Sequence, residues 1–249
     1  MISVFHVDEP NVQPRTSKES ADKMATYTAL SADEQSRYAP YNSKHFMTPR
    51  ELLMVLDVAR GRRTRDWCMI LIAYRHGLRT EEVCGLTLHD VKNGLLSVQR
   101  RKGSLKTVQP LCRDRREPLL DEVSALRAWL KERPDDGSDA LFTSQKGGAL
   151  DRTQFFRIFQ GIAKTAGLPA SKRHPRVLKY SLASHLLAGK TDLTVVTQIL
   201  GHRSITSTMQ YVKAVGRWAV ESAPKELPEY GHYEGSATMS ASLIAQDGR

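Results

Sequence analysis

Leu200-Gly201-His202-Arg203-Ser204-Ile205-Thr206-Ser207-Thr208-Met209-Gln210-Tyr211 joins two short helical patterns across a turn. Upstream, Leu193 to Leu200 reads as a helix, and Gly201 stands where a helix C-cap is expected. His202 follows the glycine, and a further helix is predicted over Ser207 to Arg217 with Tyr211 on it. A tyrosine on such a helix is ordinarily a packing residue. Its meaning depends on what else the chain brings to the same place.

The segment before it, Arg176-Val177-Leu178-Lys179-Tyr180-Ser181-Leu182-Ala183-Ser184-His185-Leu186-Leu187, predicts a helix with Leu178, Leu182 and Leu186 on one face. Arg176 and Lys179 lie three apart on another face, where a solvated basic surface is the plain reading. His185 sits among apolar residues and is expected to pack in the core. Farther upstream, Tyr74-Arg75-His76-Gly77-Leu78-Arg79-Thr80-Glu81-Glu82 stops one helix at Gly77 and starts another at Thr80. Arg79 lies between the two, where a phosphate would meet a guanidinium and helix amides together. Glu81 and Glu82 suit the start of that helix.

The rest of the pattern predicts a mainly α fold with a small antiparallel β-sheet, an α+β chain. Thr48 with Glu51, and Pro49 between them, marks a helix start. Leu52, Val55, Leu56 and Ala59 then recur at helical spacing. A second helix is expected over Arg65 to His76. Asn93-Gly94 is a hairpin-turn pair, so Leu96 and Val98 should pair with a strand over Lys106 to Leu111, leaving Lys102 near a hairpin tip. Helices are expected over Leu119 to Glu132 and Gln154 to Ala166. Residues 1–45 read as a polar, proline-bearing arm with one weak helix over Glu19 to Leu30. Residues 46–220 form the folded domain, and 221–249 a loose tail.

Among 249 residues, 37 are basic and 27 acidic, a formal charge of +10 that attracts polyanions, DNA foremost. Arg100, Arg101, Lys106 and Arg203 are candidates for contacting DNA. Three cysteines without CxxC or Cys/His spacing argue against a disulfide framework and a zinc site. No apolar run approaches a membrane span, and no signal peptide opens the chain. The expectation is a reduced, cytoplasmic protein that needs no metal or cofactor.

Taken together, the three segments resemble the catalytic domain of the tyrosine recombinase (phage integrase) family over about residues 46 to 217. The matching boxes are Gly-Leu-Arg-x-x-Glu, Pro-x-Val-Leu-basic-x-x-x-Ala-x-His-Leu-Leu and Asp-Leu-x-Val-Val-x-x-x-Leu-Gly-His-x-Ser-Ile-x-Ser-Thr-x-x-Tyr. The short arm is similar to that of the compact, Fim-type inversion recombinases. The resemblance implies metal-free phosphoryl transfer on double-stranded DNA by protomers assembled as dimers or tetramers, with the 221–249 tail loose or docked on a neighbouring protomer. Tyr211 would attack the scissile phosphorus, leaving a 3′-phosphotyrosine that retains the bond energy for rejoining. Arg79 would hold non-bridging oxygens. Lys102 would protonate the leaving 5′-oxygen, with Lys106 as runner-up. His202 would hydrogen-bond the phosphate, and Glu82 would steady the site from behind.

One box departs from the family. Where His-x-x-Arg is usual, this chain has Arg176-x-x-Lys179. Lys179 keeps a charge but loses the bidentate fork, and arginine cannot act as a base at neutral pH. His174 is nearby but two residues off register. The alternative to an active recombinase is therefore a DNA-binding protein on the same fold with impaired cleavage.

Overall fold

The computed structural model divides the chain into two units, Met1–Ala39 and Pro40–Arg249. It describes residues 46–101 and 103–212, all in the second unit. The expected arm helix, Lys102, and the tail lie outside the described residues.

Helix α1 (Pro49–Arg62) starts as the sequence requires: the Thr48 side chain accepts from Glu51 N, and the Glu51 carboxylate accepts from Thr48 N. The same carboxylate holds the nearly buried ammonium of Lys172 at 2.8 Å, tying α1 to the turn that precedes a later helix. Helix α2 (Thr64–Arg75) is buried from Arg65 through Arg75. A helix covered on all sides is the centre of its domain, and here α1, a later helix over Glu122–Glu132 and another over Arg176–Ala188 all pack on it. Trp67 reaches across to donate its indole N–H to the Leu119 carbonyl at 2.9 Å. The polar ends of α2 are satisfied inside the protein: Arg65 donates to Asp66 and the Thr143 carbonyl, Arg75 to the Leu120 carbonyl.

After the short α3 (Thr80–Cys84) come β1 (Val91–Lys92), β2 (Leu95–Val98) and β3 (Thr107–Pro110), an antiparallel sheet in the order β1-β2-β3. Asn93 and Gly94 both have positive φ, 53° and 73°, the conformation a two-residue hairpin turn needs. Leu96 pairs with Gln109 and Val98 with Thr107, and these four side chains form the buried face. The helix expected from Leu119 begins later. Pro118–Leu120 is a 3-10 turn, and α4 (Glu122–Glu132) starts only after Asp121, whose carboxylate accepts from Ser124 N and caps it.

Helices α5 (Arg152–Thr165), α6 (Arg176–Ala188) and α7 (Leu193–Ile199) follow. A last helical stretch, α8, runs over 206–212 in the described part of the chain. His185 is wholly buried in α6, as its apolar neighbours suggest. It meets the Tyr74 hydroxyl through Nδ1 and the Met47 carbonyl through Nε2, both at 2.8 Å. Among the described residues no helix is long and apolar enough to cross a membrane.

Candidate active site

Four pieces of the chain converge at one end of α2. The first is Gly77, whose φ of +56° and missing Cβ are both required: a methyl there would sit 2.6 Å from Leu200 Cδ2. This turn delivers Arg79 to the start of α3. The Glu82 carboxylate, buried, accepts from Arg79 N at 2.8 Å and from Arg79 Nη1 at 2.9 Å. It also accepts from Arg100 Nη1 and Arg101 N. Burial pushes the Glu82 carboxyl up, but these donors and the cations Arg100 and Lys179 outweigh it, so its pKa lies below the usual range. Arg79 keeps 42% of its side chain exposed, with Nη1 also donating to Ser104 Oγ.

Arg100 corrects an expectation. As a basic residue at a strand end it was a candidate for DNA contact, yet its side chain is 0% exposed. The guanidinium donates to the carbonyls of Gly77, His76 and Ile199, to Thr107 Oγ1 and to Glu82. The planar five-donor fork matches this cage of acceptors. Arg101 and Arg203, in contrast, are exposed, and so is Lys106. Arg101 pairs with Glu81, which also holds Arg152.

Lys179, one turn into α6, is likewise buried. Its ammonium donates to the carbonyls of Gly77 at 2.9 Å and Leu200 at 3.1 Å. Burial, with Arg100 and Arg79 nearby, depresses its pKa to about 7, against the pull of Glu82. Arg176 at the first position of the same helix is exposed.

The fourth piece is the turn Gly201-His202. Gly201 has φ +66°, and a Cβ there would lie 2.9 Å from the Leu105 carbonyl oxygen and 3.0 Å from Arg100 Cγ. That closeness exists because the β2–β3 connection docks here: Leu105 N donates to the Gly201 carbonyl at 2.8 Å, and Ser104 bridges to His202. His202 Nδ1 lies 2.9 Å from Thr208 Oγ1 on α8. Its ring stacks on that of Tyr211, with centroids 6.0 Å apart and planes 8° from parallel. Tyr180 meets Tyr211 edge-on at 4.9 Å. Tyr211 is 3% exposed. Burial and Tyr180 push its phenol up to about 12, opposed by Arg79 and Arg176. Burial, then Lys179, Arg79 and Arg100, bring His202 down to about 4.

Residues from three distant parts of the chain thus gather where a phosphate could be held beside a phenol. The model of the Phage integrase family matches residues 45–216. The chain belongs to the phage integrase family. Its relatives include the type 1 fimbriae regulatory protein FimE of Escherichia coli K12, 32% identical over 180 residues that cover 68% of this chain and 86% of that protein. Tyrosine recombinase XerD of Mycobacterium tuberculosis is 34% identical over 179 residues, 66% of this chain and 55% of that one. Among solved structures, XerA recombinase superposes with a TM-score of 0.61 at 24% identity, over 72% of this chain and 65% of that one. A lambda integrase tetramer bound to a Holliday junction gives 0.53 at 22% identity, over 69% and 49%. The chain therefore spans about half to two thirds of the longer recombinases, and it shares with them the fold of enzymes that cleave and rejoin DNA.

Within this family fold, Arg79, Glu82, Lys179, His202 and Tyr211 stand together, and Arg176 is close enough to act on the Tyr211 phenol. Lys102 lies outside the described residues. Sequence reasoning missed the buried role of Arg100 and the threonines Thr197 and Thr208 behind His202. A basic strand end and two threonines on helices carry no periodic signal that would single them out.

Proposed function

We propose that this chain is a site-specific recombinase that breaks and rejoins double-stranded DNA through a phosphotyrosine at Tyr211. The observation that carries this reading is the stack of His202 on Tyr211 beside guanidinium groups from elsewhere in the chain. Arg79, half-exposed and braced by Glu82, has guanidinium N–H groups with which to clasp a non-bridging oxygen while charge builds on it. Arg176 adds a second exposed guanidinium. Lys179 supplies positive charge from beneath. Lys102 remains our assignment for the proton donor to the leaving 5′-oxygen, with Lys106 as second choice. Arg101, Lys106 and Arg203 are the surface cations left to track the DNA backbone. Protomers would assemble as dimers or tetramers on DNA, in the cytoplasm, where thiols such as those of Cys68, Cys84 and Cys112 stay reduced.

The target is found and the chemistry tested in one experiment. The full chain is incubated with a pool of nicked duplexes of randomised sequence, and DNA that survives denaturing washes on the protein is sequenced. One enriched sequence, attached through a 3′-phosphate, is expected. An adduct that persists in Tyr211→Phe overturns the assignment of the nucleophile.

A second reading, DNA binding with impaired cleavage, is favoured by one observation: two of the Lys179 protons are committed to carbonyls. If that reading holds, the double change Arg176→His with Lys179→Arg converts a chain without detectable adduct into an active one.

A further inference from the structure

A chain of three short contacts runs behind His202. Its Nδ1 is 2.9 Å from Thr208 Oγ1, Thr208 Oγ1 is 2.9 Å from Thr197 Oγ1, and Thr197 Oγ1 is 2.7 Å from the Leu193 carbonyl oxygen. Each contact needs one proton, and each hydroxyl owns one. The carbonyl at the far end can only accept, so Thr197 must donate to it. Thr208 must then donate to Thr197, and the remaining contact is filled only if His202 Nδ1 carries the proton and Thr208 accepts it. The reverse direction would leave two oxygens 2.7 Å apart with no hydrogen between them. Thr208 is fully buried and Thr197 nearly so, leaving little room for water to relax the count.

We propose, resting on the recombinase reading above, that this relay fixes neutral His202 as its Nδ1–H tautomer and makes Nε2 the base that takes the Tyr211 proton. The step balances. The phenolic O–H bond breaks as the O–P bond forms, and the proton passes to Nε2. The imidazolium so made donates to a phosphate oxygen, and it returns the proton to the phenol when the strand is resealed. The leaving 5′-oxygen draws its own proton from a separate acid.

The neighbourhood singles out this nitrogen. Arg79 and Arg176, the cations acting on Tyr211, cannot accept a proton at neutral pH. Glu82 spends its oxygens on four donors. Lys179 faces the Gly77 and Leu200 carbonyls, and the cations that act on Tyr211 are Arg79 and Arg176 instead. Tyr180 offers another phenol. The imidazolium is disfavoured by burial and by Lys179, Arg79 and Arg100. A docked phosphodiester offsets those three charges, so Nε2 gains basicity when the substrate arrives. Catalytic hydrogen bonds commonly tighten only in the loaded complex, and the ring of His202 already lies against that of Tyr211, with centroids 6.0 Å apart.

Two measurements on the full chain decide it. Nitrogen NMR of histidine-labelled protein, with His202 assigned by comparison with His202→Gln, reads the tautomer directly. The expected spectrum has a protonated Nδ1 and a bare Nε2, and Thr197→Val or Thr208→Val should release the preference. A neutral ring protonated at Nε2 overturns the proposal. The second measurement is the rate of adduct formation on the duplex enriched above, with tyrosine or 3,5-difluorotyrosine at position 211. Removing a general base costs about 100-fold or more, so His202→Gln should lose that much with tyrosine. With the more acidic phenol, which depends less on a base, the loss should shrink below about tenfold. Equal losses with both nucleophiles would show His202 merely holding the phosphate, and would overturn the base while leaving Tyr211 as nucleophile. Persistence of the adduct in Tyr211→Phe would instead remove the recombinase reading itself.

Discussion

Raising the pH from 7 to 8.5 should weaken DNA binding through Lys179 alone. With its pKa depressed to about 7 in the free protein, the ammonium is about half populated at pH 7 and roughly 3% populated at pH 8.5. A phosphate docked against it favours the charged form, so binding draws in a proton. If only the charged form clasps DNA, the dissociation constant rises roughly 16-fold over that interval. Three other shifted groups of the described site are silent there. His202, near 4, stays neutral, the Tyr211 phenol, near 12, stays protonated, and Glu82, shifted down, stays ionised. The measurement is fluorescence anisotropy on the enriched duplex with the Tyr211→Phe protein, at constant ionic strength because phosphate contacts are salt-sensitive. Lys179→Arg, charged throughout, should give a flat profile. Equal weakening in both proteins, or none in either, would refute the reasoning.

Other outcomes follow from the same geometry. Gly201→Ala places a methyl against the Leu105 carbonyl in a left-handed conformation, and should cost about 1–3 kcal/mol in urea unfolding while slowing adduct formation. Arg100→Met strands three carbonyls and the buried Glu82, for a loss of about 3–5 kcal/mol by the same assay. His185, held neutral by burial with a pKa near 4, takes up a proton in the unfolded chain before the folded one. Stability should fall as pH drops below 6.5, with His185 contributing about 2 kcal/mol between pH 7 and 5, and His185→Gln should lose that share while the share of His202, also near 4, persists.

The helices were legible because their caps and apolar faces are local. Thr48 with Glu51, the positive-φ Gly201 and the Asn93-Gly94 turn all appear where the pattern puts them. The start of α4 was misplaced because Pro118 and Asp121 compete as start signals, and only the Asp121 carboxylate caps the longer helix. Burial of charge was the larger gap. Arg100 and Lys179 look like surface cations in sequence, since nothing local tells a basic residue that backbone carbonyls from two distant turns will surround it. The relay through Thr208 and Thr197 is similarly invisible, because it depends on how α7 and α8 meet.

The contact between Leu105 and Gly201 joins points nearly a hundred residues apart, as do Arg100 with Ile199 and Lys179 with Gly77. Such closures come late in folding, because a long stretch of chain must be ordered before they form. A nascent or partly opened polypeptide therefore holds Tyr211 without the cations that gather round it in the folded domain. The site is thus assembled only with the finished domain.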